Sequence, residues 1–350
     1  MALEPLRVPA GCRRHHAMIG VGGIGTGRFF ALAGSETLGR EESRAGRLLD
    51  RRDYCKLHIV SHYVQALLGR EFTTLPIGLV GGDEDGARLL GEMAAAGLDV
   101  RYVRAATGRQ TLFSFCLLYP DGSGGNLTTE DSACSEVDPG LVASAVAEFE
   151  RFAGRGVALA LPEVPLAARA ALLSLGGRHG FFRAASFTAG EVAEAARSGL
   201  LAGLDLLALN TGEAAALAGT RPGAAAEEVV EAVTRGPGAA AAARIVSITA
   251  GRRGSWVWDG QALHHLPAIP VAVAGAAGAG DAHLSGLIAG LASGLSLEAA
   301  HHLAVLVAAR SVLSPHTICP ELDRRSLRAL ARSHAVPLPE AVERLLEGPP

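Results

Sequence analysis

From Ala17 onward the chain alternates short, uninterrupted apolar runs with alanine- and leucine-rich stretches of helical character. The runs at 17–21, 75–80, 112–119, 157–161, 204–210 and 244–250 read as strands, mostly apolar along their length as strands buried on both sides are. Helices are expected at 61–69, 86–97, 140–152, 165–176, 190–199, 212–219, 225–235, 281–293 and 297–313. Strands that are apolar on both faces need cover on both faces. The alternation therefore predicts an α/β fold, with helices on either side of a mostly parallel sheet. Two segments, 31–54 and 109–132, break the pattern. The second contains a strand, a turn at Pro120-Asp121-Gly122 and a further extended piece. Together they suggest a small sheet lying over the main one.

Composition narrows the function. With 350 residues, 49% of them hydrophobic, there is material for one large α/β domain or two smaller ones. No repeat or linker divides the chain, so one domain over 1–350 is expected. The net charge is −3 with no basic stripe, which argues against a nucleic-acid partner. No run approaches the roughly 20 apolar residues that cross a bilayer. The N-terminus lacks the apolar core of a signal peptide, so a cytoplasmic location is expected. Cys12, Cys55, Cys116, Cys134 and Cys319 are scattered without a C-x-x-C pair, and indicate neither a zinc site nor a disulfide framework. The neighbouring histidines of His15-His16, His264-His265 and His301-His302 do not face each other along an element, so no shared transition metal is expected. The tail after Pro337 is expected to be loose.

Two glycine clusters compete as phosphate sites. Gly20-Val-Gly-Gly-Ile-Gly25 fits G-x-G-x-x-G, but no sustained helical stripe follows it, and Glu41 and Glu42 lie in a charged run instead of at a strand's end. A tight turn after a strand is the plainer reading. Gly278-Ala279-Gly280-Asp281 is different. Leu284, Leu287, Ile288 and Leu291 follow at i, i+3, i+4 and i+7, so these glycines open a helix. A helix N-terminus presents N–H groups and a positive dipole end to an anion. Asp281 stands in the first turn beside that hole, although capping alone is also a common use of Asp. An acid next to an anion hole suggests phosphoryl transfer. No G-x-x-x-x-G-K-[ST] occurs, so this is not a Walker loop.

These residues, with four further motifs in order, resemble the ribokinase-like (pfkB) carbohydrate kinase family. The others are Gly81-x-Asp83-x-x-Gly86, Glu163 before Pro165, Asn210-x-x-Glu213 and Thr249-x-Gly251-x-x-Gly254. The resemblance covers about 17–330. It implies a three-layer α/β/α sandwich, with a core at about 14–335 and a small β lid from about 27–55 and 109–130. It implies ATP and Mg²⁺, with Asp281 as catalytic base and the amides of Gly278, Ala279 and Gly280 as anion hole. Asn210 and Glu213 would hold Mg²⁺ through water, and Thr249, Gly251 and Gly254 would follow the nucleotide. Asn210 and Glu213 also fit a helix capping box, and both roles can hold together. The acceptor would be a sugar-like small molecule. A nucleoside kinase, or a non-catalytic nucleotide-binding relative, are the alternatives. A homodimer through the lid is the assembly the resemblance implies.

The departures from the family fall on the acceptor side. Gly27, or Gly25, stands where relatives carry an aspartate that binds substrate hydroxyls. Lys56 and His58 stand in place of a Gly-Gly-x-x-x-Asn segment. Gly275 replaces an acid that helps some relatives bind a monovalent cation, so that cation is not carried over. Glu163 remains as an acceptor-side carboxylate. Lys56, the only lysine in the chain, would suit an anionic acceptor, or be a solvated lid residue.

Overall fold

The computed structural model describes residues 3–36, 39–120, 124–221, 223–236 and 243–347. The first strands are β1 (Ala17–Val21), β2 (Gly25–Leu32), β3 (Gly46–Tyr54), β4 (Thr73–Gly81), β5 (Tyr102–Ala106), β6 (Leu112–Leu118) and β7 (Gly124–Thr128). Then come β8 (Gly156–Ala160), β9 (Phe182–Ser186), β10 (Leu206–Asn210), β11 (Ile245–Thr249), β12 (Ser255–Trp258) and β13 (Leu263–Leu266). The helices of the first half are α1 (Lys56–Leu68), α2 (Glu84–Ala95), α3 (Pro139–Ala143), α4 (Val146–Arg151), α5 (Leu166–Arg178) and α6 (Val192–Arg197). The others are α7 (Thr211–Ala218), α8 (Ala226–Arg235), α9 (Ala279–Ala292), α10 (Leu297–Ser311), α11 (Arg324–Ser333) and α12 (Glu340–Leu346).

The main sheet runs β13-β12-β11-β10-β9-β8-β1-β4-β5. It is parallel from β11 to β5, and antiparallel only at β11-β12-β13. Strands β1 and β8 are buried throughout. Their side chains alternate between two cores, as period-2 geometry requires. Met18, Val157 and Leu159 pack with α1, α2 and α9–α12. Ile19, Ala158 and Ala160 pack with α3–α8. This is the expected three-layer sandwich. Helices α9 and α10 approach so closely that a Cβ at Gly286 would lie 2.7 Å from Ala304 Cα. That contact anchors α9 and fixes where its N-terminus points.

A second sheet, β3-β2-β6-β7, forms the lid. Along β6, Ser114 and Cys116 face inward and are buried, while Phe115 is exposed. The motif around Asp83 holds the root of this lid. Its carboxylate caps α2 through Gly86 N at 2.8 Å and accepts the Thr111 N–H at 2.7 Å, one residue before β6. Asp121 and Gly122 of the expected turn lie outside the described residues.

Several expectations are corrected. Strands β5 and β9 carry Arg104 and Arg183 among small residues, so no apolar run announces them. Helix α1 starts at Lys56 instead of 61, because its N-cap, Cys55, makes no side-chain capping bond that would signal it. The 140–152 helix is broken between α3 and α4. The segment after Pro337 forms α12, whose Val342, Leu345 and Leu346 pack into the core at i, i+3 and i+4. No helix among the described residues is long and apolar enough to cross a membrane.

Candidate active site

The carboxyl ends of parallel strands are where an open α/β sheet presents ligands. Asn210 and Thr249 end β10 and β11 as register partners there. Glu163 follows β8, and the first glycine cluster follows β1. The lid closes over this edge and leaves a cleft of about 430 Å³. Asp53, Lys56, Glu163, Gly278 and Asp281 line it, with Arg51, Ser114, Cys116 and Asn126 from the lid.

The first glycine cluster holds a helix in place. The Gly25 carbonyl accepts the Cys55 N–H at 3.2 Å, and the Gly23 carbonyl accepts the Leu57 N–H at 3.2 Å. A Cβ at Gly20 would lie 2.8 Å from Leu57 Cδ1. These glycines let α1 dock against the end of β1, and their carbonyls take up its opening N–H groups.

The second cluster has the geometry an anion needs. Gly278 is the N-cap of α9 at φ 78°, a left-handed conformation that glycine adopts without a Cβ penalty. The N–H groups of a first turn have no carbonyl one turn earlier, so they are available to a ligand. That of Ala279 bends back to Ala276 O at 3.3 Å. Thr249 stands beside this turn, its Oγ1 3.7 Å from where a Gly280 Cβ would be.

Asp281 faces Lys56, with Oδ1 3.8 Å from Nζ. Burial pushes the Asp281 carboxyl above its ordinary range, and Lys56 pulls it back. Asp281, and then Glu163 and Glu213, in turn hold the Lys56 ammonium firmly charged against its burial. Lys56 is thus already matched to carboxylates, which removes the basis for reading it as a receptor for an anionic acceptor. Asn210 and Glu213 form the capping box of α7. Asn210 N–H donates to Glu213 Oε2 at 2.8 Å, and Glu213 N–H to Asn210 Oδ1 at 2.9 Å. The second carboxylate oxygen of Glu213 is not spent in that box. Gly251 (φ 53°) and Gly254 (φ 87°) shape the turn between β11 and β12.

Glu163 is strained and half-buried. Its φ of 74° is rare for a side chain with a Cβ, a feature that concentrates at functional sites. Its Oε2 accepts the Lys56 N–H at 3.2 Å. Burial pushes its carboxyl up to about 7, opposed by Lys56 and reinforced by Asp281 and Asp53. A carboxyl whose folded pKa is raised stabilises fully below its unfolded value, and that contribution is lost as pH rises through the folded one. From about 4.5 to 7 the fold therefore loses on the order of 3 kcal/mol at this residue. Glu163→Gln retains an oxygen for the Lys56 N–H and does not titrate. Denaturant melts at pH 5 and pH 8 should show the wild type losing stability relative to this variant; parallel pH dependence in the two proteins would contradict the assignment.

Three acceptor-side expectations fare differently. His58 does not line the cleft. Its ring is buried edge-on to Tyr54 with centroids 4.7 Å apart, and burial lowers its pKa to about 3. Gly25 lies behind Cys55 and Leu112. Gly27 is covered by Asp53, a residue that sequence reasoning missed. Burial raises the Asp53 carboxyl, while Cys116, the Tyr54 backbone and Thr317 pull it back through hydrogen bonds. The Cys116 thiol donates to Asp53 Oδ2 at 2.9 Å.

Comparison with known proteins bears on the family and the fold. Residues 61–324 match the family described as pfkB family carbohydrate kinase. Ribokinase from Cryptococcus neoformans var. grubii serotype A, solved with ADP, superposes with a TM-score of 0.72 at 18% identity, covering 91% of this chain and 99% of that one. Arabidopsis thaliana ribokinase, complexed with ribose and ATP, gives 0.67 at 18% identity over 90% and 98%. A Burkholderia thailandensis nucleoside kinase in complex with inosine gives 0.68 at 16% over 91% and 97%. At these identities the likeness is one of fold. No curated protein sequence matches the chain.

Proposed function

The chain belongs to the pfkB family of carbohydrate kinases, and on that premise we propose that it transfers the γ-phosphoryl group of ATP to a hydroxyl of a sugar or sugar-like small molecule. One observation carries the reading. A largely covered acid, Asp281, stands in the first turn of a glycine-opened helix, in the cleft, against a single lysine.

The chemistry follows from that placement. An acceptor hydroxyl in the cleft gives its proton to an Asp281 carboxylate oxygen as its own oxygen attacks the γ-phosphorus. The bond from that phosphorus to the bridging oxygen breaks, and ADP leaves with the electron pair. The α9 amides face the charge on the moving group. Burial raises the Asp281 carboxyl and Lys56 opposes that rise, which favours the ionised form that takes the proton. Thr249, Gly251 and Gly254 border the nucleotide. Mg²⁺ fits the oxygen donors of Glu213 and Asn210 through water, and when bound it would neutralise phosphate charge.

The lid's outer face supports a homodimer. Leu48, Phe115 and Leu127 are 59%, 44% and 71% exposed there, which is apolar surface that a second lid would cover. A nucleoside is the second acceptor reading, supported by the likeness to the inosine-bound kinase.

The test is ADP release from Mg-ATP across neutral sugars and nucleosides. Acceptor-dependent ADP with at least one of them is expected, and which one responds separates the two readings. Mg-ATP binding without turnover of any acceptor would instead mark a non-catalytic relative.

A further inference from the structure

The acceptor side first reads as stripped, because glycines stand at 23, 25 and 27. In three dimensions two of those gaps are filled by carboxylates from elsewhere in the chain. Gly27 and Asp53 are direct partners across the antiparallel β2–β3 pair, and the register shifts just beyond them. A Cβ at Gly27 would lie 2.5 Å from Asp53 Oδ2 and 3.2 Å from Asp53 Cβ. A Cβ at Gly23 would collide with the Glu163 carboxylate. Each glycine is the space its acid needs. Both acids line the same cleft as Asp281, and each lies close enough to Asp281 to feel its charge. Asp53 is only 6% exposed, and no arginine or lysine pairs with it among the described residues. A buried carboxylate that opens onto a cleft and is not itself paired with a cation is suited to accept hydroxyl hydrogens.

We propose that Asp53 and Glu163 form a two-carboxylate clamp for a vicinal diol of the acceptor, with Asp53 supplying from β3 the acid that Gly27 does not carry on β2. This rests on the phosphoryl-transfer reading above. Asp53 is a specificity-determining residue here: it takes the hydrogens of hydroxyls beside the one that reacts, while Asp281 takes the reacting proton. The acceptor class is an uncharged polyol or nucleoside with two adjacent free hydroxyls.

The test compares D-ribose, D-fructose, adenosine and inosine, each against its monodeoxy analogues. A site built to bind a hydroxyl rejects the analogue lacking it by up to about 10⁴-fold in kcat/KM. Wild-type protein should show strong discrimination for the acceptor it turns over. Asp53→Asn should cut that ratio about ten- to hundredfold, mostly through KM of the diol, with Mg-ATP affinity retained. A merely structural Asp53 would lower both rates together and leave the ratio unchanged, which would overturn the proposal. Wild-type protein that accepts deoxy analogues as readily as diols would also overturn it, whether or not the variant folds. Absence of ADP formation with every acceptor is the separate failure: it removes the kinase reading, and the clamp with it.

Discussion

Asparagine or alanine at position 281 is expected to lower kcat by about 10²–10⁴-fold while Mg-ATP binding is retained. The separation follows from where Asp281 stands. Its carboxylate lines the cleft, while Asn210, Glu213 and the β11–β12 turn, proposed above to border the nucleotide, lie on other elements. Asparagine fits the same space and cannot accept the proton. Titration calorimetry with Mg-ATP and steady-state ADP release read the two effects independently. Near-wild-type turnover in either variant would rule out Asp281 as the base.

Lys56→Met should produce the second largest loss. The ammonium, 3.8 Å from Asp281, is what holds that buried carboxyl down. Removing an opposite charge at this range lets a carboxylate pKa rise by about 1–3 units. A base that must be ionised then works only at higher pH. The acid limb of the kcat profile should move up by about one unit or more, with activity near neutrality down about tenfold or more. An unshifted limb would mean that Lys56 does not tune the base. Lys56→Arg makes a sharper control. Arginine supplies every other Lys/Arg charge in this chain, yet lysine stands here. A guanidinium is broad and planar where an ammonium is a compact point charge, so Lys56→Arg should restore the charge without full activity.

The parts of this site that could be read in the sequence are local. Gly278 to Asp281 could be found because the apolar stripe of α9 begins at once and declares a helix end. Asn210 and Glu213 close a box within four residues, directly after an apolar strand. The mostly parallel sheet and the lid followed from alternation and from the two segments that break it, whereas the strand order did not. Asp53 could not be found this way. It sits in Gly46–Tyr54, a charged strand that is mostly exposed, and its importance depends on cross-strand register with Gly27. Register is a long-range property, and a shift of one residue would have turned the carboxylate to the other face. The available signal was the glycine itself: a missing side chain at a pocket asks what occupies its volume. His58 failed for the opposite reason. Its position in the chain pointed to the acceptor, but α1 begins early enough to wind its ring into the core.

The central claim is that the phosphates belong to the second glycine cluster and the acceptor to the cleft between Asp281, Asp53 and Glu163. A crystal structure with Mg-ADP and a turned-over acceptor tests it most directly. The β-phosphate is predicted against the α9 amides at Ala279 and Gly280, with an acceptor hydroxyl within hydrogen-bond reach of Asp281 and its neighbours on Asp53 and Glu163. Phosphates bound along Gly20 to Gly25, or an acceptor hydroxyl out of reach of Asp281, would contradict the account.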